Sequence, residues 1–173
     1  MAIIRELRGI TPKIGKNCFI AENAVIIGDV TIGDDCSIWY GAVLRGDVNT
    51  ITIGNRVNVQ DNASIHTTYE QSVTVLEDDV SIGHNAVIHG ARVGRGSLIG
   101  MGAVLLDNAE IAPESVIAAG AVVLANARLE PGLYAGVPAK KLKDSSPAVS
   151  AIATRNARQY MMYKEWYKQP YEE

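Results

Sequence analysis

The sequence predicts an all-β fold, a parallel β-helix shaped as a triangular prism, followed by one C-terminal α-helix. The main observation is an aliphatic residue that recurs every six positions. This spacing excludes α-helices over the same region, because a buried helical face needs spacings of three and four. The aliphatic positions are Ile14, Ile20, Ile26, Ile32, Ile38, Leu44, Ile53, Val59, Ile65, Leu76, Ile82, Ile88, Val93, Ile99, Leu105, Ile111, Ile117 and Val123.

A second inward position accompanies the first, because a small or slim residue lies four positions after most of these aliphatics. A short strand and a turn in each hexad explain both positions. Three hexads then close one triangular coil, and successive coils stack at about 4.8 Å. The small positions are Cys18, Ala24, Val30, Cys36, Ala42, Val57, Ala63, Val80, Ala86, Ser97, Ala103, Ala109, Ser115, Ala121 and Ala127.

The two cysteines belong to this second set and lie one coil apart. We expect Cys18 and Cys36 to be stacked, buried and reduced packing residues. The alternatives are a strained disulfide and a metal-binding role.

The chain has the size of one domain, since it holds 173 residues of which 47% are hydrophobic. Residues 1–143 are predicted to form the repeat domain, closed by a loop at 131–139. Residues 144–173 are predicted to supply a C-terminal helix, over 148–167, because Pro147 precedes a run of good helix formers. That helix should pack on the outside of the coils and cover an open strand edge.

Charge and hydropathy exclude several classes of partner. The formal charge is -3, from 16 basic and 19 acidic residues with no basic run, so nucleic acid is not an expected partner. The start of the chain lacks the apolar stretch of a signal peptide, and no window reaches the roughly 18 apolar residues that cross a bilayer. Two cysteines are too few for a disulfide framework. We expect a cytoplasmic protein that does not contact membranes.

The repeat is interrupted at residues 45–52, at residues 67–75 and by one residue between Ile88 and Val93. Functional residues tend to be inserted where a solenoid is interrupted. All three histidines of the chain lie close to these interruptions.

His66 and His89 each follow the aliphatic residue of their hexad, so both lie on one face of the prism, one coil apart. His84 falls on a different face, which becomes adjacent only when copies pack around a threefold axis. Three imidazoles with an open fourth position are the ligand set of catalytic Zn²⁺, and Fe²⁺ or Co²⁺ also fit. The alternative is three unrelated surface histidines.

Charged and polar residues follow the same division between the faces of the prism. Arg45 lies on the face of His66 and His89, whereas Gln60 and Asp61 lie on the face of His84. If these faces meet between subunits, Arg45 and Asp61 are placed to form an intersubunit ion pair. The alternative is solvated surface charge.

Four stretches, taken in order, resemble the γ-class carbonic anhydrases and their short bacterial relatives over essentially the whole chain. They are Arg45-Gly46-Asp47, Asn58-Val59-Gln60-Asp61, His66, and His84-Asn85-Ala86-Val87-Ile88-His89. The resemblance implies a left-handed β-helix, a homotrimer, and a metal held by His66 and His89 of one subunit and His84 of the next.

The resemblance also assigns roles to other residues. Asp47, Asn58 and Gln60 would orient the solvent or bicarbonate at the metal. Tyr160 of the C-terminal helix, with Tyr163 as the next match, would face the site.

The implied reaction is the reversible hydration of CO₂ to bicarbonate by hydroxide on the metal, a lyase activity. Val48 stands where a glutamate is common in the family, and Glu70 is the only acid in the 67–75 loop. A fast proton shuttle is therefore not expected.

Three other functions stay open. One is a metal-dependent acyl-CoA thioesterase, and another is a hexapeptide acyltransferase, since Gly136-Val137-Pro138-Ala139-Lys140 resembles a stretch of those enzymes. The third is a non-catalytic trimeric scaffold.

Overall fold

The computed structural model describes residues 1–168. Its strands follow the six-residue period, and the predicted fold class, a left-handed parallel β-helix with a C-terminal α-helix, is confirmed. The strands are β1 (Ile3–Arg5), β2 (Lys13–Ile14), β3 (Phe19–Ile20), β4 (Val25–Ile32), β5 (Ser37–Ile38), β6 (Val43–Ile53), β7 (Asn58–Val59), β8 (Ser64–His66), β9 (Thr74–Leu76), β10 (Ser81–Ile82), β11 (Val87–His89), β12 (Arg92–Val93), β13 (Leu98–Ile99), β14 (Val104–Leu105), β15 (Glu110–Ile111), β16 (Val116–Ile117), β17 (Val122–Val123), β18 (Arg128–Leu129), β19 (Gly132–Ala135) and β20 (Lys140–Asp144).

The strands form two hydrogen-bonded sheets, in which every strand except β20 pairs in parallel with a strand one coil away. One face of the prism is an 8-stranded sheet in the order β20-β19-β16-β13-β10-β7-β5-β3. The other two faces merge into a 12-stranded sheet, because β4 and β6 continue around a corner. Residues 47–50 of β6 bulge outward there, since Gly28 pairs with Gly46 and Val30 with Ile51. This bulge carries Asp47 out of the ladder.

The prism interior is filled by the two sets of inward residues that the period predicts. The aliphatic positions from Ile26 to Val123 are almost completely buried, and Ala24, Ala42, Ala63, Ala86 and Ala103 are fully buried at small positions. Cys36 is buried and Cys18 half-buried, and both are free thiols. Their Sγ atoms lie 3.0 Å and 3.2 Å from the carbonyl oxygens of Gly54 and Gly33. Cys36 is therefore buried as expected, whereas Cys18 is only half-buried, and both cysteines pack against backbone.

One corner of the prism is held by a ladder of polar side chains. Asp78 Oδ1 accepts from the Asn55 amide N–H at 2.8 Å, and Asn55 Oδ1 accepts from the Asp34 amide N–H at 2.8 Å. Arg56 donates to both carboxylate oxygens of Asp79 at 2.6 Å and 2.9 Å. At this corner, side chains of one coil therefore satisfy backbone N–H groups of the neighbouring coil.

The stack ends in a pair of strands where the sequence predicted a loop. β19 pairs in parallel with β16 and also antiparallel with β20, so Gly132 to Ala135 continue the ladder. Gly136 then adopts φ 98°, which glycine tolerates readily, and the chain reverses direction. The predicted boundary between the repeat domain, residues 1–143, and the C-terminal segment, residues 144–173, stays a prediction.

Helix α1 (Pro147–Tyr167) begins one residue before the predicted start. Ser146 caps it, since its Oγ accepts from the Val149 amide at 3.3 Å, and Pro147 occupies the first turn. Its buried face, which includes Val149, Ala153 and Ala157, packs on β5, β10, β13 and β16. The last five predicted residues of the C-terminal segment, 169–173, lie outside the described residues.

The far end of α1 is tied to the first coils by a buried lysine. Lys164 is 1% exposed, and its Nζ donates to the carbonyl oxygens of Asn17 and Asp35 at 3.1 Å and 3.0 Å. It also lies 3.2 Å from the Asp35 carboxylate. Among residues 1–168, no helix is both long and apolar enough to cross a membrane.

Candidate metal centre

His66 and His89 end neighbouring strands and lie in direct register, as the repeat phase predicts. β8 and β11 pair so that His66 faces His89 across the ladder. Their ring centroids are 5.2 Å apart, and His66 Nδ1 lies 3.3 Å from His89 Nε2. The β-ladder therefore brings two imidazole nitrogens together before any ligand is bound.

The other nitrogen of each ring faces a carboxylate. His66 Nε2 lies 2.9 Å from Asp47 Oδ1, and His89 Nδ1 lies 3.1 Å from Asp107 Oδ1. Carboxylates accept hydrogen bonds, so we assign the N–H of each ring to this outer nitrogen. The two facing nitrogens then both present lone pairs.

This arrangement fits a tetrahedral metal ion. Zn–N bonds of about 2.0–2.1 Å in a tetrahedron place two ligand nitrogens about 3.3–3.4 Å apart. The observed separation of 3.3 Å lies within that range. Two lone pairs facing each other repel, and a cation between them satisfies both. Carboxylates on the outer nitrogens are the usual support of metal-binding histidines.

Asp47 reaches His66 from the bulge in β6 and also contacts Arg45 of the same chain. Partial burial acts to raise the pKa of Asp47, but hydrogen bonds from His66 and Arg45 outweigh it and hold that pKa below its usual value. Asp47 is therefore ionised at neutral pH.

Asp107 supports His89 together with two residues of the 67–75 segment. Ser72 Oγ donates to Asp107 Oδ1 in a short hydrogen bond, and Thr68 Oγ1 donates to Asp107 Oδ2 at 3.1 Å. Burial acts to raise the pKa of Asp107, and the bonds from Ser72, Thr68 and His89 together lower it below its usual value.

His84 lies on the other sheet, in the turn after β10, as the phase predicts. Its Nδ1 lies 2.8 Å from Asp61 Oδ2, and its Nε2 lies 3.2 Å from the Tyr160 hydroxyl of α1. Within residues 1–168 of one chain, no three His, Cys, Asp or Glu side chains are grouped so that they could hold a metal ion. One chain therefore brings only His66 and His89 close together, and His84 lies apart from them.

Tyr160, and not Tyr163, contacts His84. Burial, with the negative charge of Asp61, raises the pKa of Tyr160 to about 12, so its hydroxyl is protonated at neutral pH. The Tyr163 ring packs against the Tyr160 ring with centroids 5.4 Å apart.

Asn58 and Gln60 form a buried amide chain on the 8-stranded sheet. Gln60 Nε2 donates to Asn58 Oδ1 at 3.0 Å and to Asn156 Oδ1 at 3.3 Å, and Asn58 Nδ2 donates to Ser81 Oγ at 2.7 Å. Both Gln60 donors are therefore used within the chain, and its carbonyl oxygen is the group left to accept from a ligand.

The two residues of the predicted intersubunit pair have other partners in one chain. Arg45 contacts Asp47, and Asp61 contacts His84. The pair between Arg45 and Asp61 therefore stays a prediction about the assembly.

Sequence reasoning missed four residues of this centre, namely Thr68, Ser72, Asp107 and Asn156. The repeat phase could have predicted the position of Asp107, because Leu105 lies in register with Ile88 and places Asp107 just beyond His89 on the next coil. It could not have predicted Thr68 and Ser72, since their contacts depend on how the 67–75 segment folds.

The fold and the paired histidines define a hexapeptide-repeat protein with a candidate metal centre. The family model for the bacterial transferase hexapeptide (six repeats) matches residues 11–46, 73–107 and 90–125. A Geobacillus kaustophilus protein named carbonic anhydrase is 46% identical over 96% of this chain and 91% of its own length. The chain therefore belongs to the γ-class carbonic anhydrase-like family of hexapeptide-repeat proteins.

Two further similarities agree with this family. The mitochondrial gamma carbonic anhydrase 1 of Arabidopsis thaliana is 41% identical over 86% of this chain and 56% of its own length. The solved structure of a Bacillus cereus protein, provisionally described as an acetyltransferase, has a TM-score of 0.93 at 38% identity and covers 96% of both chains.

Proposed function

We propose that this protein is a γ-class carbonic anhydrase-like metalloenzyme that catalyses the reversible hydration of CO₂ to bicarbonate with Zn²⁺. The supporting observation is the 3.3 Å separation of His66 Nδ1 and His89 Nε2, with Asp47 and Asp107 on the outer nitrogens. The Geobacillus kaustophilus relative named carbonic anhydrase supports the same reaction.

The proposal requires a homotrimer, because His84 of the same chain lies on another face of the prism. A threefold assembly would bring His84 of one subunit to His66 and His89 of its neighbour. Arg45 and Asp61 would then pair across the same boundary. Two faces that are separate in one chain would form one site.

Three imidazole nitrogens would hold Zn²⁺, with Fe²⁺ or Co²⁺ as alternatives. When bound, Zn²⁺ supplies the Lewis acidity that lowers the pKa of a coordinated water from about 15.7 to about 7. The ionised Asp47 carboxylate would accept a hydrogen bond from solvent at the site. The Gln60 carbonyl oxygen, backed by Asn58, would accept another, and the Tyr160 hydroxyl would donate one.

Proton export would be the slow part of this cycle. Val48 is half-buried beside Asp47 and has no proton to carry, while Glu70 is exposed at the tip of the 67–75 segment. We expect hydration to depend on external buffer as the proton acceptor.

A cavity beside Asp47 favours metal-dependent acyl-CoA thioester hydrolysis as a second candidate. Its volume is about 330 Å³, far more than CO₂ requires, and its lining combines Leu7, Ile10, Val48 and Tyr69 with charged and polar residues such as Arg8 and Asp29. The apolar part of this lining would suit an acyl chain.

The test combines metal analysis with two assays on Zn- and Fe-loaded protein. Stopped-flow CO₂ hydration should exceed the buffer rate and rise with buffer concentration, and Val48→Glu should reduce that buffer dependence. Acyl-CoA hydrolysis is measured beside it on the same samples. Protein that binds no transition metal refutes both candidates, whereas thioester hydrolysis without hydration replaces the first by the second.

A further inference from the structure

We propose that Asp107 is a positioning residue that fixes the orientation and tautomer of His89, and that the 67–75 segment acts by holding Asp107 in place. The effect that we expect on metal binding rests on the proposed function. The contacts of Asp107 do not depend on it, because they all lie within one chain.

Three side chains, those of His89, Ser72 and Thr68, surround the Asp107 carboxylate. Asp107 Oδ1 lies 3.1 Å from His89 Nδ1 and also accepts from Ser72, while Oδ2 accepts from Thr68 at 3.1 Å. The Thr68 amide N–H donates in turn to Ser72 Oγ at 3.0 Å. Both carboxylate oxygens are thus engaged, and the side chain has little freedom to turn away from His89.

The β-ladder adds a second constraint. Leu105 pairs with Ile88, so Asp107 extends from the coil next to that of His89. The Asn108 amide N–H donates to the Gly90 carbonyl oxygen at 2.8 Å, which clamps the two coils together directly behind the histidine. A supporting residue on rigid neighbouring strands holds its partner more accurately than one on a free loop.

Gly90 makes this approach possible. It follows His89 directly and adopts φ 61°, a left-handed conformation that favours glycine. A Cβ atom there would collide with Ser72 Oγ and with Asp107 Oδ1. Only a residue without a side chain allows Ser72 and Asp107 to meet behind His89.

The consequence concerns which nitrogen of His89 is available. A carboxylate that accepts from Nδ1–H leaves the lone pair on Nε2, which faces His66 Nδ1. Without that carboxylate, the proton can occupy either nitrogen and the ring can rotate. The 67–75 segment lacks a well-placed acid for proton transfer, and the geometry gives it this supporting role.

The test compares Asp107→Asn with Asp78→Asn in the full chain. Asp78 is a matched control, since its side chain is 29% exposed against 30% for Asp107, and it also accepts several hydrogen bonds without contacting a histidine. Zinc affinity is measured by competition with a chelator, and thermal stability is measured on the metal-free proteins. The tautomer of His89 is read from ¹⁵N NMR of metal-free protein, with its signals identified by their loss in His89→Gln.

Asp107→Asn should weaken zinc binding about 10–100-fold, the usual effect of removing such a support, and should mix the His89 tautomers. Ser72→Ala should show a smaller loss of the same kind. Asp78→Asn should lower thermal stability and change zinc affinity less than twofold. An unmixed Nδ1–H tautomer in Asp107→Asn overturns the proposal, as does a loss of affinity equal to that of Asp78→Asn. If the unmutated protein binds no zinc, the proposed function fails, while the tautomer measurement still decides the role of Asp107.

Discussion

Mixing two inactive variants tests whether one metal site is built from two subunits. His66→Ala removes a ligand from the face that also carries His89, and His84→Ala removes the ligand on the other face. Each variant alone should bind no zinc at its trimer sites, because every site lacks one nitrogen. A mixed trimer should regain a site wherever a His84→Ala subunit presents His66 and His89 to the His84 of a His66→Ala neighbour.

The expected amount follows from this arrangement. In a random equal mixture, about one quarter of all subunit boundaries have the required pair in the required order. Zinc content should therefore recover to about one quarter of that of the unmutated protein. If each variant carries a different tag, trimers that contain both variants can be purified through the two tags. Each such trimer should hold one intact site out of three, so its zinc content should be about one third of that of the unmutated protein.

The matched control mixes His66→Ala with His89→Ala. Both changes lie on one face, joined by the register of β8 and β11, so no boundary in that mixture has a full set of ligands. Zinc is quantified by mass spectrometry of intact trimers. The shared-site geometry is refuted if the first mixture stays empty or if the control mixture recovers zinc.

Three further predictions concern stability, pH and metal affinity. Lys164→Met should lower the free energy of unfolding by about 2–3 kcal/mol, because it removes charged hydrogen bonds from a buried site. The measurement is urea titration at fixed protein concentration. The control Lys143→Met, at an exposed position, should have little effect. The pKa of Asp78 is lowered, chiefly by the hydrogen bond from the Asn55 amide N–H, while burial opposes this shift. Ionised Asp78 therefore stabilises the folded protein fully above the pKa of Asp in the unfolded chain, about 4, and this stabilisation is lost as pH falls below that value. Asp78→Asn should therefore flatten the acid limb of stability against pH, and an unchanged limb contradicts this assignment. Tyr160→Phe should tighten zinc binding about fivefold, because it removes a hydrogen bond of about 1 kcal/mol to His84 Nε2 that a metal must displace. The same change should slow CO₂ hydration, because the site loses its hydroxyl donor, and zinc binding weaker than that of the unmutated protein contradicts the competition for His84.

The repeat phase alone predicted much of the architecture, because burial in a β-helix depends only on position within the hexad. It placed His66 and His89 in register and put His84 on another face, as the structure shows. The start of α1 was predictable to one residue, since Pro147 marks the first turn of a helix.

The parts that were not predictable depend on backbone conformation outside the repeat. The continuation of β6 around a corner and the strand pair after Gly132 require local register changes that hexad spacing does not encode. The contact of Ser72 with Asp107 joins residues 35 positions apart through a turn whose shape no periodicity specifies.

Helix α1 changes how the stack is expected to unfold. A plain solenoid connects each coil only to its neighbours, so its ends can fray separately. Here the helix starts after the last strand, runs back along the coils, and fastens Lys164 to Asp35 near the beginning of the chain. Losing either end breaks contacts at the other. We therefore expect the helix to make melting more cooperative, and Lys164→Met should let the N-terminal coils exchange their amide hydrogens ahead of the rest.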